Sequence, residues 1–166
     1  MDFSVIIPTY KRPDALAVTL KSLVENSVLP TEVIVIDDDS TPKDLRNSIQ
    51  VMCEDKGISF RYYQKDHVKM RRGLSESKNW AVALAKHEII FFLDDDVKLN
   101  THYFQKITDV WKENLSDSTL IGIGGRISNN RPTPLWEHIF RSMFGLSSSL
   151  AWDVNDVGFQ VWDETQ

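Results

Sequence analysis

Cysteine is almost absent: Cys53 is the only one in 166 residues. A disulfide framework and a cysteine zinc site each need more than one, so neither is available here. His87, His102 and His138 show no partner spacing for zinc. Long apolar runs are missing as well. Nothing approaches the ~20 residues needed to span a bilayer, and the N-terminus lacks the basic-then-apolar pattern of a signal peptide. Positive charge is in deficit. A formal net charge of −5 argues against a general nucleic-acid binder, while leaving room for a local basic pocket. A glycine-rich phosphate loop is also lacking. "GIGGRI" comes close to G-x-G-x-x-G, but it falls within a late strand-like segment instead of opening a helix, which argues against a dinucleotide motif. These absences lead us to expect one cytoplasmic domain, able to dock at a membrane without crossing it. Its length suffices for a single sizeable core.

What is present is a regular alternation. "FSVII" (Phe3 to Ile7) is a short β-branched run closed by Pro8, which predicts a buried strand. Pro13 suits the first turn of a helix that carries Leu16, Leu20, Leu23 and Val24 on one face. Pro30 separates that helix from a second buried strand, "EVIVI" (Glu32 to Ile36). Residues Pro42 to Lys56 read as a helix stopped by Gly57. "ISFRYY" reads as an alternating third strand. After a basic loop come a helix over about Ser75 to Lys86 and the strand "EIIFFL". A helix over about Tyr103 to Asn114 and a glycine-rich strand "LIGIGGRI" follow. Repeated β-α units with apolar strands predict an α/β fold, Rossmann-like, with a largely parallel sheet and helices on both faces.

Three strand ends carry unusual residues: "PTYKR" after the first, "DDDS" after the second, and "DDDVKL" after the strand ending at Leu93. In open α/β sheets ligands bind beyond the carboxyl ends of the strands, where strand order switches. If these strands are neighbours, all three segments face one crevice. An isolated acidic triplet is ordinarily a solvated turn; two of them at equivalent strand ends point to a site. Asp94 and Asp96 stand one residue apart, so a turn can aim both carboxylates to the same side. Hard oxygen ligands of this kind suit Mg²⁺ or Mn²⁺, which takes its remaining ligands from water and substrate phosphates.

These residues resemble a known family. "SVIIPTYKRPDALAVTLKSLVENSVLPTEVIVIDDDS" followed by "RRGLSESKNWAVALAKHEIIFFLDDDVKL" is similar to the donor-binding half of family 2 nucleotide-sugar glycosyltransferases of the GT-A fold. The resemblance runs from about Phe3 to Ile127 in consistent order and spacing. It implies transfer of a sugar from a nucleotide-diphosphate donor, UDP-type favoured, to a carbohydrate or lipid-linked acceptor hydroxyl, inverting and metal-assisted. It further implies that Pro8, Thr9 and Tyr10 line the nucleoside pocket and that Asp37 or Asp38 bonds a uracil-type base. Lys78 would approach the nucleotide, and Arg12 and Asp95 join the expected donor-binding set. The D-x-D of Asp94 and Asp96 would contact ribose and a diphosphate bound to Mn²⁺ or Mg²⁺. Asp96 is the better metal-ligand candidate, and Asp94 the better ribose or metal-shell candidate.

Two departures from the family pattern stand out. Asp39 occupies a position usually held by glycine or another small residue, and Lys78 one where arginine is common, which keeps the charge but loses the planar fork. Arg71 and Arg72, in the loop before a helix, could clamp the diphosphate or be solvated, and the loop of His67 could cover the donor. The expected division is a donor-binding domain over 1–129 and a partial acceptor-side segment over 130–166. In the latter, "LWEHIFRSMFGL" reads as an amphipathic helix. The family's catalytic base has no clear match there. Asp153 and Asp156 are its candidates, Asp163 a third, although each stands in an irregular context that reads more readily as surface. Trp136, Trp152 and Trp162 would stack on acceptor sugars or pack, and this aromatic segment is expected to favour self-association. The rival readings are a nucleotide-sugar-binding module without efficient transfer, a phosphate-receiver domain and a sugar nucleotidyltransferase. A receiver wants paired acids after its first strand, and a nucleotidyltransferase a glycine-rich loop there; "PTYKRPD" has neither.

Overall fold

β-branched residues dominate two strands that are buried along their whole length: β1 (Ser4–Thr9) and β2 (Glu32–Asp37). Between them runs α1 (Pro13–Val24), with Pro13 in its first turn as expected. α2 (Lys43–Glu54) ends before Gly57, whose φ of 73° is a conformation that glycine adopts without strain. β3 (Ser59–Gln64) and α3 (Leu74–Leu84) follow, then β4 (Ile90–Phe92) and α4 (Tyr103–Glu113). The structure is a computed structural model that describes residues 1–125. The expected helix at 135–146, Asp153, Asp156, Asp163, the three C-terminal tryptophans and the self-association expected of them all lie outside those residues.

All pairings are parallel, in the order β3-β2-β1-β4. The chain builds outward from β1 to β3 and then returns past β1 to lay down β4. The strand order therefore switches between β1 and β4, with β2, β1 and β4 as neighbours, and their three acidic or polar ends share one edge. One face of the sheet packs Val5, Ile7, Val33 and Val35 against Leu16, Leu20 and Leu23 of α1, Ile49 and Cys53 of α2, and Phe104 of α4. Phe3, Phe91 and Phe104 form an aromatic cluster within it, with ring centroids 4.8–5.2 Å apart. The other face packs Ile6, Ile34 and Ile36 against Ala81 of α3. Burial pushes the Cys53 thiol up to about 12, so it stays protonated and behaves as a small hydrophobe.

Two expectations change. Over Leu120–Gly125 no strand forms, so the described sheet has four strands, and Ile121 is almost fully exposed. An apolar run with glycines reads as a strand only if a neighbour offers it a ladder. β3 also lacks the clean alternation expected, because its residues are partly covered on both sides. Arg61 of this strand lies inward enough to reach the buried carboxylate of Glu32 at 2.8 Å and to donate to the Leu84 carbonyl.

Candidate functional site

A cleft of about 550 Å³ opens at the carboxyl ends of β1, β2 and β4. Eight expected residues line it: Pro8, Thr9, Tyr10, Arg12, Asp38, Asp94, Asp95 and Asp96. The loop before α3 adds Arg72 and Gly73, and the helix adds Leu74 and Ser77.

The two acidic triplets are built differently. Asp37 turns inward. One of its oxygens accepts from the Asp39 amide at 2.8 Å, and the other from the Thr41 amide (2.7 Å), the Thr41 hydroxyl (2.5 Å) and the Tyr62 hydroxyl (2.5 Å). Its lone pairs are thus spent on the turn into α2. Burial first, and then the bond to Asp37, raise the Tyr62 phenol above its ordinary value. Asp38 is the acid of this pair that reaches the cleft. Its Oδ2 accepts from the Gly73 amide at 2.8 Å, and its Oδ1 is buried without a hydrogen bond among the described residues. Lys65 Nζ, fully buried, stands 3.4 Å from that Oδ1, and His67 Nε2 stands 3.5 Å away. His67 Nε2 is also 2.9 Å from the Asp38 carbonyl, so this side chain packs on the turn beside the cleft. Gly73 has φ 128°, a region that suits glycine, and this conformation aims its amide at Asp38. Asp39 does not share that requirement: Lys11 is the only described non-glycine residue with positive φ, so a side chain at 39 strains nothing.

In the second triplet the middle acid is the anchor. Asp95 is buried and accepts from the Thr9 hydroxyl at 2.7 Å, whereas Asp94 and Asp96 are exposed on either side. Helix α1 holds this loop from behind. Thr19 Oγ1 lies 2.8 Å from the carbonyls of both Asp95 and Val97 and accepts from the Val97 amide, while Ser22 accepts from the Leu99 amide at 3.0 Å. The positive partner of the acids is Arg12. Its Nη1 is 2.7 Å from Asp96 Oδ2 and 3.5 Å from Asp95 Oδ1. Arg72 reaches across the cleft towards the Tyr10 hydroxyl at 3.4 Å.

Lys78 does not line the cleft; its ammonium lies 5.4 Å from the Phe92 ring centroid. The helix offers Leu74 and Ser77 to the cleft instead, and a cation held over an aromatic face has a reason to stay there. Lys65, Gly73, Thr19 and Ser22 were not picked out from the sequence. Only the polar Thr19 and Ser22, interleaved with the apolar face of α1, carried a visible signal.

Among the described residues no three His, Cys, Asp or Glu side chains converge into a metal cage. Asp94 and Asp96 nevertheless offer hard carboxylate oxygens to an open cleft. Such a donor set fits a Mg²⁺ or Mn²⁺ ion that completes its shell with water and phosphate oxygens. Among the described residues no helix is long and apolar enough to cross a membrane.

Comparison with known proteins gives consistent results. Poly(ribitol-phosphate) beta-N-acetylglucosaminyltransferase TarP of Staphylococcus aureus is 31% identical over 134 residues, which make up 79% of this chain and 39% of that protein. The poly(ribitol-phosphate) beta-glucosyltransferase of Bacillus spizizenii is 32% identical over 134 residues, 76% of this chain and 20% of that protein. The crystal structure of S. aureus TarS 1–349 in complex with UDP-GlcNAc matches with a TM-score of 0.58 at 28% identity, covering 80% of this chain and 37% of that one. The chain therefore spans 20% to 39% of the length of these two curated relatives. The family model for glycosyl transferase family 2 matches residues 4–161, and the chain belongs to that family.

Proposed function

We propose that this chain binds a nucleotide-diphosphate sugar, UDP-type, in the cleft between β2, β1 and β4, and that it serves inverting, metal-assisted transfer to an acceptor hydroxyl. The observation that carries this reading is the cleft itself, where Pro8, Thr9 and Tyr10, Asp38, and Asp94 to Asp96 line one opening. Asp38 is favoured over Asp37 for the base. Asp38 lines the cleft, and its buried Oδ1, without a hydrogen bond among the described residues, would accept from a ring N–H of uracil after a small shift of Lys65. Tyr10 offers an exposed ring for stacking. Arg72 supplies a guanidinium at the same opening, suited to a diphosphate.

Asp94 and Asp96 would hold the Mn²⁺ or Mg²⁺. The ion's chemistry there is to offset the charge that develops on the departing diphosphate. Inversion is supported by the beta linkages in the names of both curated relatives, and a phosphate-bearing polyol acceptor by the poly(ribitol-phosphate) in those names. Inverting transfer also needs a base for the acceptor hydroxyl. Asp153 and Asp156 are the residues proposed for that role.

Calorimetry with UDP, GDP, CDP and TDP, each with Mn²⁺ and with chelator, tests the reading. UDP should bind most tightly, and more tightly with metal. Equal affinity for the four would remove the base-reading role of Asp38. Equal affinity with and without metal would remove the metal role of Asp94 and Asp96.

A further inference from the structure

The acidic loop carries its own cation. Lys11, at φ 56°, turns the chain so that Arg12 stands at the N-cap of α1, where its side chain makes no capping bond. The guanidinium goes to the loop instead, with Nη1 at 2.7 Å from Asp96 Oδ2. The Arg12 side chain is 58% exposed and lines the cleft, so donors not used on the loop are open to a ligand. Asp96 is one of the two carboxylates that the proposed function gives to the metal. A guanidinium and a divalent ion at one carboxylate oxygen repel each other, so full engagement of both is disfavoured.

We propose that Arg12 is an internal counter-ion: it occupies Asp96 while the cleft is free of diphosphate and moves to the diphosphate when donor enters, so that metal is admitted together with nucleotide. This rests on the metal reading above. Three features make the exchange feasible. An ion pair between two half-exposed side chains is weak, so Arg12 leaves Asp96 easily. A planar guanidinium matches a diphosphate better than it matches one carboxylate oxygen. Asp95 is held separately by Thr9, and its carbonyl by Thr19, so the loop keeps its place after Arg12 departs.

The test is Mn²⁺ binding to the full chain, followed by the electron paramagnetic resonance signal of free Mn²⁺, with and without UDP. The wild type should bind Mn²⁺ weakly alone and more tightly with UDP. Arg12→Gln should bind Mn²⁺ alone about tenfold more tightly, the scale expected for removing one charge a few ångströms away at a half-exposed site. UDP should then add less. Arg12→Lys keeps the charge and should stay near the wild type in Mn²⁺ binding. Arg12→Gln combined with Asp96→Asn should lose the gain, which locates the ion. If UDP raises Mn²⁺ affinity in the wild type but Arg12→Gln binds Mn²⁺ alone no better, the counter-ion role is wrong and the metal reading stands. If UDP leaves Mn²⁺ affinity unchanged and Asp96→Asn has no effect, the metal reading fails and takes this proposal with it.

Discussion

The two Asp-Asp-Asp stretches have the same letters and stand at the ends of the two strands that flank β1, yet their parts are distributed differently. In Asp37–Asp39 the first acid is the anchor, saturated by the Asp39 and Thr41 amides and two hydroxyls, and the second faces the cleft. In Asp94–Asp96 the middle acid is the anchor, held by Thr9, and the outer two are exposed. β2 runs regular and parallel through Asp37, so that residue still belongs to the strand. β4 stops at Phe92, and the chain has already turned by Asp95. Where the strand ends decides which carboxylate is structural. Identical acids are therefore not interchangeable, and their substitution should separate stability from binding.

The largest expected effect is on Asp37. Replacing it with alanine strands several buried or half-buried donors, each costing about 1–3 kcal/mol, so a total loss of roughly 3 kcal/mol or more is expected in urea unfolding. A loss below about 1 kcal/mol would break the distinction between anchor and working acid. Next is Asp38→Ala, which should lower UDP affinity roughly ten- to a hundredfold by removing one buried hydrogen bond. It also leaves Lys65 buried without its carboxylate, so stability falls as well. Adding Lys65→Met should restore stability but not UDP affinity, because an apolar replacement of a buried pair is often tolerated. Recovery of both would mean that Asp38 acts only through the fold.

In the second triplet the effects should fall on metal dependence. Asp96→Asn should remove most of the Mn²⁺-dependent increment in UDP affinity, about tenfold or 1.4 kcal/mol, and Asp94→Asn less. Equal losses in calorimetry would overturn the ranking of Asp96 above Asp94 as the metal ligand. The smallest effect is a pH dependence at Tyr62, the partner of Asp37. Its folded pKa lies above the ordinary 10.0, so its contribution is fully present below that value and is lost as pH rises through the higher folded one. Tyr62→Phe should flatten the alkaline limb of a stability-versus-pH curve, and an unchanged limb would show that another group governs it.

The strands and helices were legible because burial leaves periodic traces within a few residues. Val5 to Ile7, Val33 to Ile36, and the Leu16, Leu20, Leu23 stripe announce buried surfaces by themselves. The convergence of three strand ends was legible from their order. The division of labour among the acids was not, because each depends on partners far along the chain: Asp95 on Thr9, Asp38 on Gly73, and the Asp95 carbonyl on Thr19. Lys65 followed the same logic. In the sequence it is one cation in a basic loop, and its complete burial against Asp38 appears only when β3 and α3 are packed. The glycine-rich segment misled for the opposite reason, since its local pattern suited a strand that no described neighbour completes.

The brevity of β4 has a consequence for motion. It pairs with β1 over three residues, against six between β1 and β2, so among the described strands its attachment is the slightest. Opening of β4 alone would dismantle the Asp94–Asp96 end of the cleft while leaving Asp38 and its neighbours in place. A donor that bridges both ends binds only the closed form, so its occupancy must suppress that opening. The amide protons of β4, and of Leu93, which donates to the Ile6 carbonyl, thereby become internal reporters of whether the cleft is filled.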